Sequence, residues 1–449
     1  MVVRTAELKK LEELYQEGGD RLVLLAGNVF AGTDALIRQF TRDKEFFYAN
    51  LIDASFEEQN RQFLYDIKTR FNLKNPPSSF PEAFSRLRGR GKIVFILDNM
   101  QNSLKEGKDF WLQLIKAKRS GIFGGNVLTI VVFNELSHLT RDENYLPDEK
   151  KDIDERIILG DVPFLDIVRA FPSYSVSDDV RAYGILGGNQ FLINLWSGKR
   201  SLKENVINTM LNPYGPARDA ANRLLSSELR ELSVYQTILL SMARGNEKLN
   251  DLFTDTGFSR AKIIVYLKNL EAFGIVEKIV SFDTGGWENS RKGIYRIKNQ
   301  YINFYFKFIY PNLSELFMEG PEKFFDHEIE PGLNDYLDMT FSGVCREYLT
   351  LLAFMGKTPV KIVRSGVWIG KEGTIDYIGQ DEARNNIVAK TYFSRPLRYS
   401  DYEELLDSMK KARIKARAIY LFSATDFDDR LKELSARDSS IILVDMKEL

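Results

Sequence analysis

The chain has 449 residues, 44% of them hydrophobic and 28% charged, the composition of an ordinary soluble globular protein with several domains. Its formal net charge of -1 excludes a global field that would draw it to nucleic acid or membrane, so any basic surface has to be local. One cysteine, Cys345, excludes an intrachain disulfide, and with only His138 and His327 a histidine- or cysteine-rich metal centre is excluded too. The opening "MVVRTAELKKLEELYQEGG" lacks the apolar core of a signal peptide, and no apolar run reaches the roughly 18 residues that cross a bilayer. A cytoplasmic protein with no membrane partner is expected.

From Arg21 to about Leu159, short apolar runs alternate with helical patterns. "RLVLLA", "EFFYANL", "KIVFILD", "NVLTIVVF" and "RIIL" are β-rich and mostly unalternated, as in strands buried on both faces. The intervening "DALIRQFTRD", "EEQNRQFLYDIKTRF" and "GKDFWLQLIKAKRS" repeat apolar residues at three and four. This alternation predicts an α/β fold with a parallel, doubly wound sheet, whose ligands sit at the carboxyl ends of strands. "GNVFAG" and "DNMQ" fall there. From Leu165 to about Leu252 the pattern is helical, broken at "GILGGNQF" and "LNPYGPA".

"SRAKIIVYLKNLEAFG" then places Ile263, Ile264, Leu267 and Leu270 on one helical face, with Ser259 as N-cap and Gly274 just past the end. The following "IVEKIVSF", the turn "DTGGWENSRKG" and "IYRIKN" predict a two-stranded hairpin. Helix, helix and hairpin together predict a winged helix-turn-helix. "YINFYFKFIYPN" is read as core rather than a base-stacking platform. "LFMEGPEKFFDHEIEPGLNDYLD" reads as a connector. From Met339 the order helix, three strands, helix, two strands predicts a second, small α/β domain.

The P-loop outline, "FILDNMQ", "GGNQF", "ELRELSVYQTILLSMARG" and "TGFSRAKIIVYLKNLEAFGIVEK" fall in one order along the chain. In that order the chain resembles the prokaryotic AAA+/STAND-type P-loop ATPases that carry a C-terminal restriction-endonuclease-like domain. The resemblance implies a P-loop ATPase-like α/β domain at 1–163 and a helical lid at 164–225. It implies a winged-helix domain at 226–312, a connector at 313–338 and a PD-(D/E)xK nuclease-like domain at 339–449. It also implies ATP with Mg2+ as cofactor and double-stranded DNA as partner, with a protein partner or self-association as further expectations.

Each motif departs from the family pattern. Gly27 and Gly32 keep the spacing of G-x-x-x-x-G-K-[ST], but Thr33 stands for the lysine and Asp34 for the hydroxyl residue that ligates magnesium. A carboxylate at Asp34 is expected to cap the helix start and repel phosphate from it. Asp98, ending "IVFIL", stands where a magnesium-holding aspartate is expected, with the alternative of a carboxylate capping a loop. Asn99 replaces the acid that activates water, and an amide cannot take the proton. Gln101 matches a polar position without a derivable role, and Asn134 stands at a sensor position. In the C-terminal domain, Asp376 and Lys390 match, but Val388 stands in place of the metal-binding glutamate, on the face shared with Lys390. Glu347 is a candidate additional carboxylate from the helix "VCREYL".

The winged helix departs least. Arg260, Lys262 and Lys268 lie on the recognition-helix pattern, and Arg291 and Lys292 in the wing. Phe258 to Lys298 holds roughly eight basic against four acidic side chains, counted from the sequence. DNA contact and packing between domains both remain open for this face. "KKARIKAR" reads as a solvated basic helix end, and Cys345 as a buried structural thiol. Three functions follow. The chain is a pseudo-ATPase scaffold or regulator that binds DNA or protein, a slow ATP-binding switch, or an active ATPase or nuclease completed by other groups.

Overall fold

A computed structural model describes residues 4–89, 91–105, 107, 109–136, 150–282 and 293–448. The chain divides into two units, residues 1–161 with 222–230, and residues 162–221 with 231–449.

The first unit is built on a five-stranded parallel sheet of β1 (Arg21–Gly27), β2 (Phe46–Asn50), β3 (Ile93–Asp98), β4 (Val127–Phe133) and β5 (Glu155–Leu159), ordered β2-β3-β4-β1-β5. β1 pairs with β4 on one side and β5 on the other, Leu25 lying opposite both Val132 and Ile157. The strands' unbroken apolar runs are explained by burial on both faces. Val23 and Leu25 join Leu11, Leu36, Ile37 and Phe40, from helices Thr5–Glu17 and Thr33–Phe40, in one core layer. Leu22 and Leu24 join Phe63, Phe110 and Trp111, from helices Phe56–Arg70 and Asp109–Ser120, in the other. Alternate residues of one strand thus serve opposite layers. The two edge strands, β2 and β5, differ, with exposed and buried residues alternating along them.

The second unit begins with helices Phe164–Ala170, Val176–Leu186 and Gln190–Leu195. Three helices, Leu232–Ala243, Leu249–Thr256 and Arg260–Ala272, then lead into an antiparallel pair, β6 (Val276–Ile279) and β7 (Ile294–Ile297). Ser259 caps the third helix by accepting from Lys262 N, and Ile263, Leu267 and Leu270 are its buried face. The predicted turn between β6 and β7, with Arg291 and Lys292, lies outside the described residues. Tyr301, Phe304 and Phe306 are buried core residues, as the aromatic segment predicted.

Where a connector is expected, residues 313–338 are helical, with Phe324, Phe325, Ile329 and Leu333 buried. One helix, Glu330–Phe354, runs through the expected boundary at Met339. Pro331 comes just after the π-helical turn Phe325–Ile329, where the altered ladder accommodates a residue without an N–H. Gly184 lets this helix come close to Val176–Leu186, since a Cβ there would lie 2.2 Å from Leu337 Cδ2. The unit ends in a second sheet of β8 (Arg364–Ile369), β9 (Thr374–Gln380), β10 (Asn386–Tyr392), β11 (Ala416–Ser423) and β12 (Ile441–Asp445), ordered β12-β11-β10-β9-β8. Its β8/β9 and β9/β10 pairs are antiparallel, and β10/β11 and β11/β12 are parallel. Among the described residues, no helix is long and apolar enough to cross a membrane.

Candidate functional site

β1 ends at Gly27 because the chain turns back upon it. A Cβ on Gly27 would lie 2.5 Å from the methyl of Ala31. Asn28 shapes the turn: its Oδ1 accepts from Phe30 N at 2.9 Å and its carbonyl from Ala31 N at 2.9 Å, a side-chain mimic of a backbone turn. The Arg4 guanidinium, nearly buried, holds the loop from outside through bonds of 3.1 and 2.8 Å to Ala31 O, and of 2.7 Å to Gly160 O. Gly32, at φ 80°, is the N-cap of helix Thr33–Phe40, and no side chain caps that helix.

The expected cap by Asp34 is therefore not made. Asp34 is the second helical residue and is exposed, whereas side-chain caps come from the N-cap or third helical position. Its charge still favours the helix dipole.

The polar side chains at the carboxyl ends of β1–β4 bond to one another. Thr33 Oγ1 donates to Asn134 Oδ1 at 2.8 Å. Asn134 Nδ2 donates to Asp98 Oδ1 and Asn99 Oδ1, each at 2.9 Å. Asp98 Oδ1 also accepts from Asn99 N at 2.8 Å, and Asp98 Oδ2 from the Tyr48 hydroxyl at 2.6 Å. Both oxygens of the carboxylate are engaged. Although the Tyr48 residue is 43% exposed, burial at its hydroxyl end and the adjoining Asp98 carboxylate raise its pKa. Asn99 occupies a left-handed conformation at φ 58°, which asparagine tolerates better than most residues. Its Nδ2 donates to Asn50 Oδ1 at 2.7 Å, and its Oδ1 accepts from Gln101 Nε2 at 3.1 Å. Gln101 Oε1 in turn accepts from Asn134 N at 3.3 Å. Neither this role of Gln101 nor the parts of Tyr48 and Asn50 are legible in the sequence.

This donor set differs from the lysine, hydroxyl and acid that the family pattern sets around a magnesium nucleotide. The position for a phosphate-contacting ammonium is a threonine hydroxyl committed to Asn134, and Asp98 already has protein donors on both oxygens. Asn99 offers no base.

In the second unit, Asp376 on β9 and Lys390 on β10 come together, with Lys390 Nζ 3.8 Å from Asp376 Oδ1. Asp376 Oδ2 accepts from Thr391 N at 3.0 Å and from its hydroxyl at 3.3 Å. Val388 is fully buried in the apolar core of this sheet. Glu347 does not join this pair. Its Oε2 accepts from Phe164 N at 3.0 Å and its Oε1 from the Tyr183 hydroxyl at 3.4 Å, so it caps the start of a different helix. Its neighbour Arg346 lines the cleft of Asp376 instead. Cys345 is buried, and its burial raises the thiol pKa, which suits a structural thiol.

Arg260, Lys262 and Lys268 are exposed on one helix. Arg260 stacks 3.9 Å above the Phe253 ring and donates to Asn250 Oδ1, and Lys262 lies 4.5 Å from the Phe258 ring centre. These contacts hold two of the three cations in place.

Residues 305–391 match a family described as archaea bacterial proteins of unknown function. Over 390 residues the chain is 24% identical to an uncharacterized protein of Methanocaldococcus jannaschii, covering 85% of this chain and 84% of that one. Among solved structures, the Walker-type ATPase of Pyrococcus abyssi superposes with a TM-score of 0.50 at 15% identity, over 68% of this chain and 96% of that one. The ORC2 protein of Aeropyrum pernix, in ADPNP-ADP complexes, gives a TM-score of 0.46 at 12% identity, over 71% and 96%. The chain is thus an α/β protein with the P-loop ATPase fold, a five-stranded parallel sheet, and a separate C-terminal sheet domain.

Proposed function

We propose that this chain is a pseudo-ATPase: a P-loop ATPase fold that serves as a scaffold or regulator and acts by binding rather than by ATP turnover. The observation that carries this is the Thr33–Asn134–Asp98–Tyr48 network, which satisfies internally the groups that magnesium and phosphate would need. The five-part domain division belongs to the same reading, with the helices and hairpin of residues 226–312 as a winged helix. The C-terminal sheet is then a nuclease-like scaffold whose metal site is broken by Val388. Double-stranded DNA is the proposed partner, through the exposed Arg260, Lys262 and Lys268. A phosphate-release assay with ATP and Mg2+, with and without DNA, tests the first claim. No turnover above an Asp98→Ala control is expected, and turnover that this substitution abolishes would overturn it.

One observation favours a second reading, a slow nucleotide switch. The helix start at Gly32 carries no side-chain cap, so its N–H groups remain a potential anion site. Equilibrium binding of ATP separates the two readings, since a scaffold does not bind it and a switch does.

A further inference from the structure

The second unit contains a cleft of about 380 Å3, a size suited to a small molecule rather than a duplex. Arg296 of β7, Arg346 of helix Glu330–Phe354, and Trp368, Asp376 and Lys390 of the C-terminal sheet all contribute to its walls. Its polar groups divide according to whether they already have partners.

The carboxylates have them. Asp376 is held by Thr391. Asp338 accepts from Phe393 N at 2.7 Å, Ser394 N at 2.9 Å and the Ser394 hydroxyl at 2.8 Å. Glu247 is paired with Arg296 through both oxygens. The remaining carboxylate, Asp335, is exposed and about 16 Å along the helix from Arg346, at 1.5 Å per residue.

Several donors are less fully engaged. The Lys390 side chain is 13% exposed, yet Nζ stands 3.8 Å from its carboxylate partner, beyond hydrogen-bond range. Among the described residues, Arg346 makes one hydrogen bond, from Nε to Ser342 O of its own helix at 3.3 Å, which leaves both terminal nitrogens without an acceptor. Trp368 is 5% exposed and its Nε1 is buried with no partner. Buried donors without acceptors are rare because each forfeits its hydration. Trp368 Nε1 is the buried one of the three, and with the two cations beside it the cleft offers donors to a ligand that brings acceptors.

We propose that this cleft binds a small phosphorylated molecule, its oxyanion held by Lys390 and Arg346, with the Trp368 indole N–H as a third donor. A three-oxygen phosphate head offers donors arranged on different walls more acceptor directions than a planar carboxylate does. The site lies outside the first unit and does not depend on the reading of that unit.

Calorimetric titration of the full chain with inorganic phosphate, AMP, acetate and a short DNA duplex tests this. Saturable binding of phosphate and AMP is expected, with acetate weaker. Lys390→Met and Arg346→Gln should each weaken phosphate binding on the order of tenfold or more, the loss of a charged hydrogen bond. Urea unfolding of each variant checks its integrity, and Arg346→Gln removes a side chain whose one bond lies within its own helix. No saturable binding of phosphate or AMP would overturn the proposal. So would affinity retained in both variants, which would put the anion elsewhere, or binding of the duplex alone.

Discussion

The Thr33 hydroxyl donates to Asn134 Oδ1 at 2.8 Å, tying the helix that follows β1 to the end of β4. In a P-loop with lysine at this position, a charge would reach out toward phosphate. Here a short hydroxyl reaches sideways to another side chain, and Asn134 passes the connection on to Asp98. The helix after β1 and the ends of β2, β3 and β4 are thereby joined through side chains.

Tyr48→Phe removes the donor to Asp98 Oδ2. Because the tyrosine is partly exposed, water replaces some of the lost bond, and a stability loss of about 1 kcal/mol is expected. Urea denaturation measures it, and an unchanged midpoint would mean that the hydroxyl does not hold the carboxylate.

Gly27→Ala places a methyl 2.5 Å from the Ala31 methyl. The loop has to shift, at a cost of roughly 1–3 kcal/mol for an overpacked site. Gly160→Ala meets nothing within 4 Å and should change stability by less than about 0.5 kcal/mol. Equal unfolding midpoints for the two variants would contradict the close approach.

Asp179 is 1% exposed and its Oδ1 has no partner among the described residues. Burial, with Asp178 second, pushes its pKa up to about 7. The folded state therefore keeps a proton that the unfolded chain releases above about pH 4. The contribution of Asp179 to stability is full below that pH, falls as pH rises toward about 7, and levels off beyond. Asp179→Asn should remove much of this decline and be the more stable protein at pH 8, by an amount on the order of 1–3 kcal/mol. Unfolding at pH 5 and pH 8 measures this, and a wild-type advantage at pH 8 would contradict it.

Arg260→Glu with Lys262→Glu reverses two charges on the exposed face of one helix. If that face contacts DNA, the wild type binds duplex with a steep salt dependence, and the variant loses both the affinity and part of the slope. Anisotropy titrations at several salt concentrations measure both. Equal binding by wild type and variant would assign the helix to packing.

The sheet of the first unit was legible because its strands are buried on both faces, which leaves continuous runs such as "KIVFIL". The two edge strands are the exceptions. β2 is an edge strand with alternating burial, and its polar-side residues Tyr48 and Asn50 are those that sequence reading missed. Their partners lie 50 and 49 positions away, so no local pattern could pair them. Asp98, Asn99 and Asn134 were found by their places at strand ends, whereas the link from Asn134 to Thr33 is visible only in the fold. The stretch read as a connector is instead largely helical, and a π-helical turn, Phe325–Ile329, stands just before Pro331. Glu347 was misplaced by one residue of helical phase. About 100° separates it from Arg346, enough to turn it from the cleft to Phe164.

On the proposed reading, bonds among Thr33, Asn134, Asp98 and Tyr48 stand in for nucleotide contacts. The most direct test is a thermal-shift titration with ATP and ADP, with and without Mg2+, on the wild type beside a Thr33→Lys/Asp34→Thr double variant. A ligand that binds only the folded state raises the midpoint as its concentration exceeds Kd. The account predicts no shift in the wild type and a magnesium-dependent shift in the double variant. A saturable, magnesium-dependent shift in the wild type would contradict it.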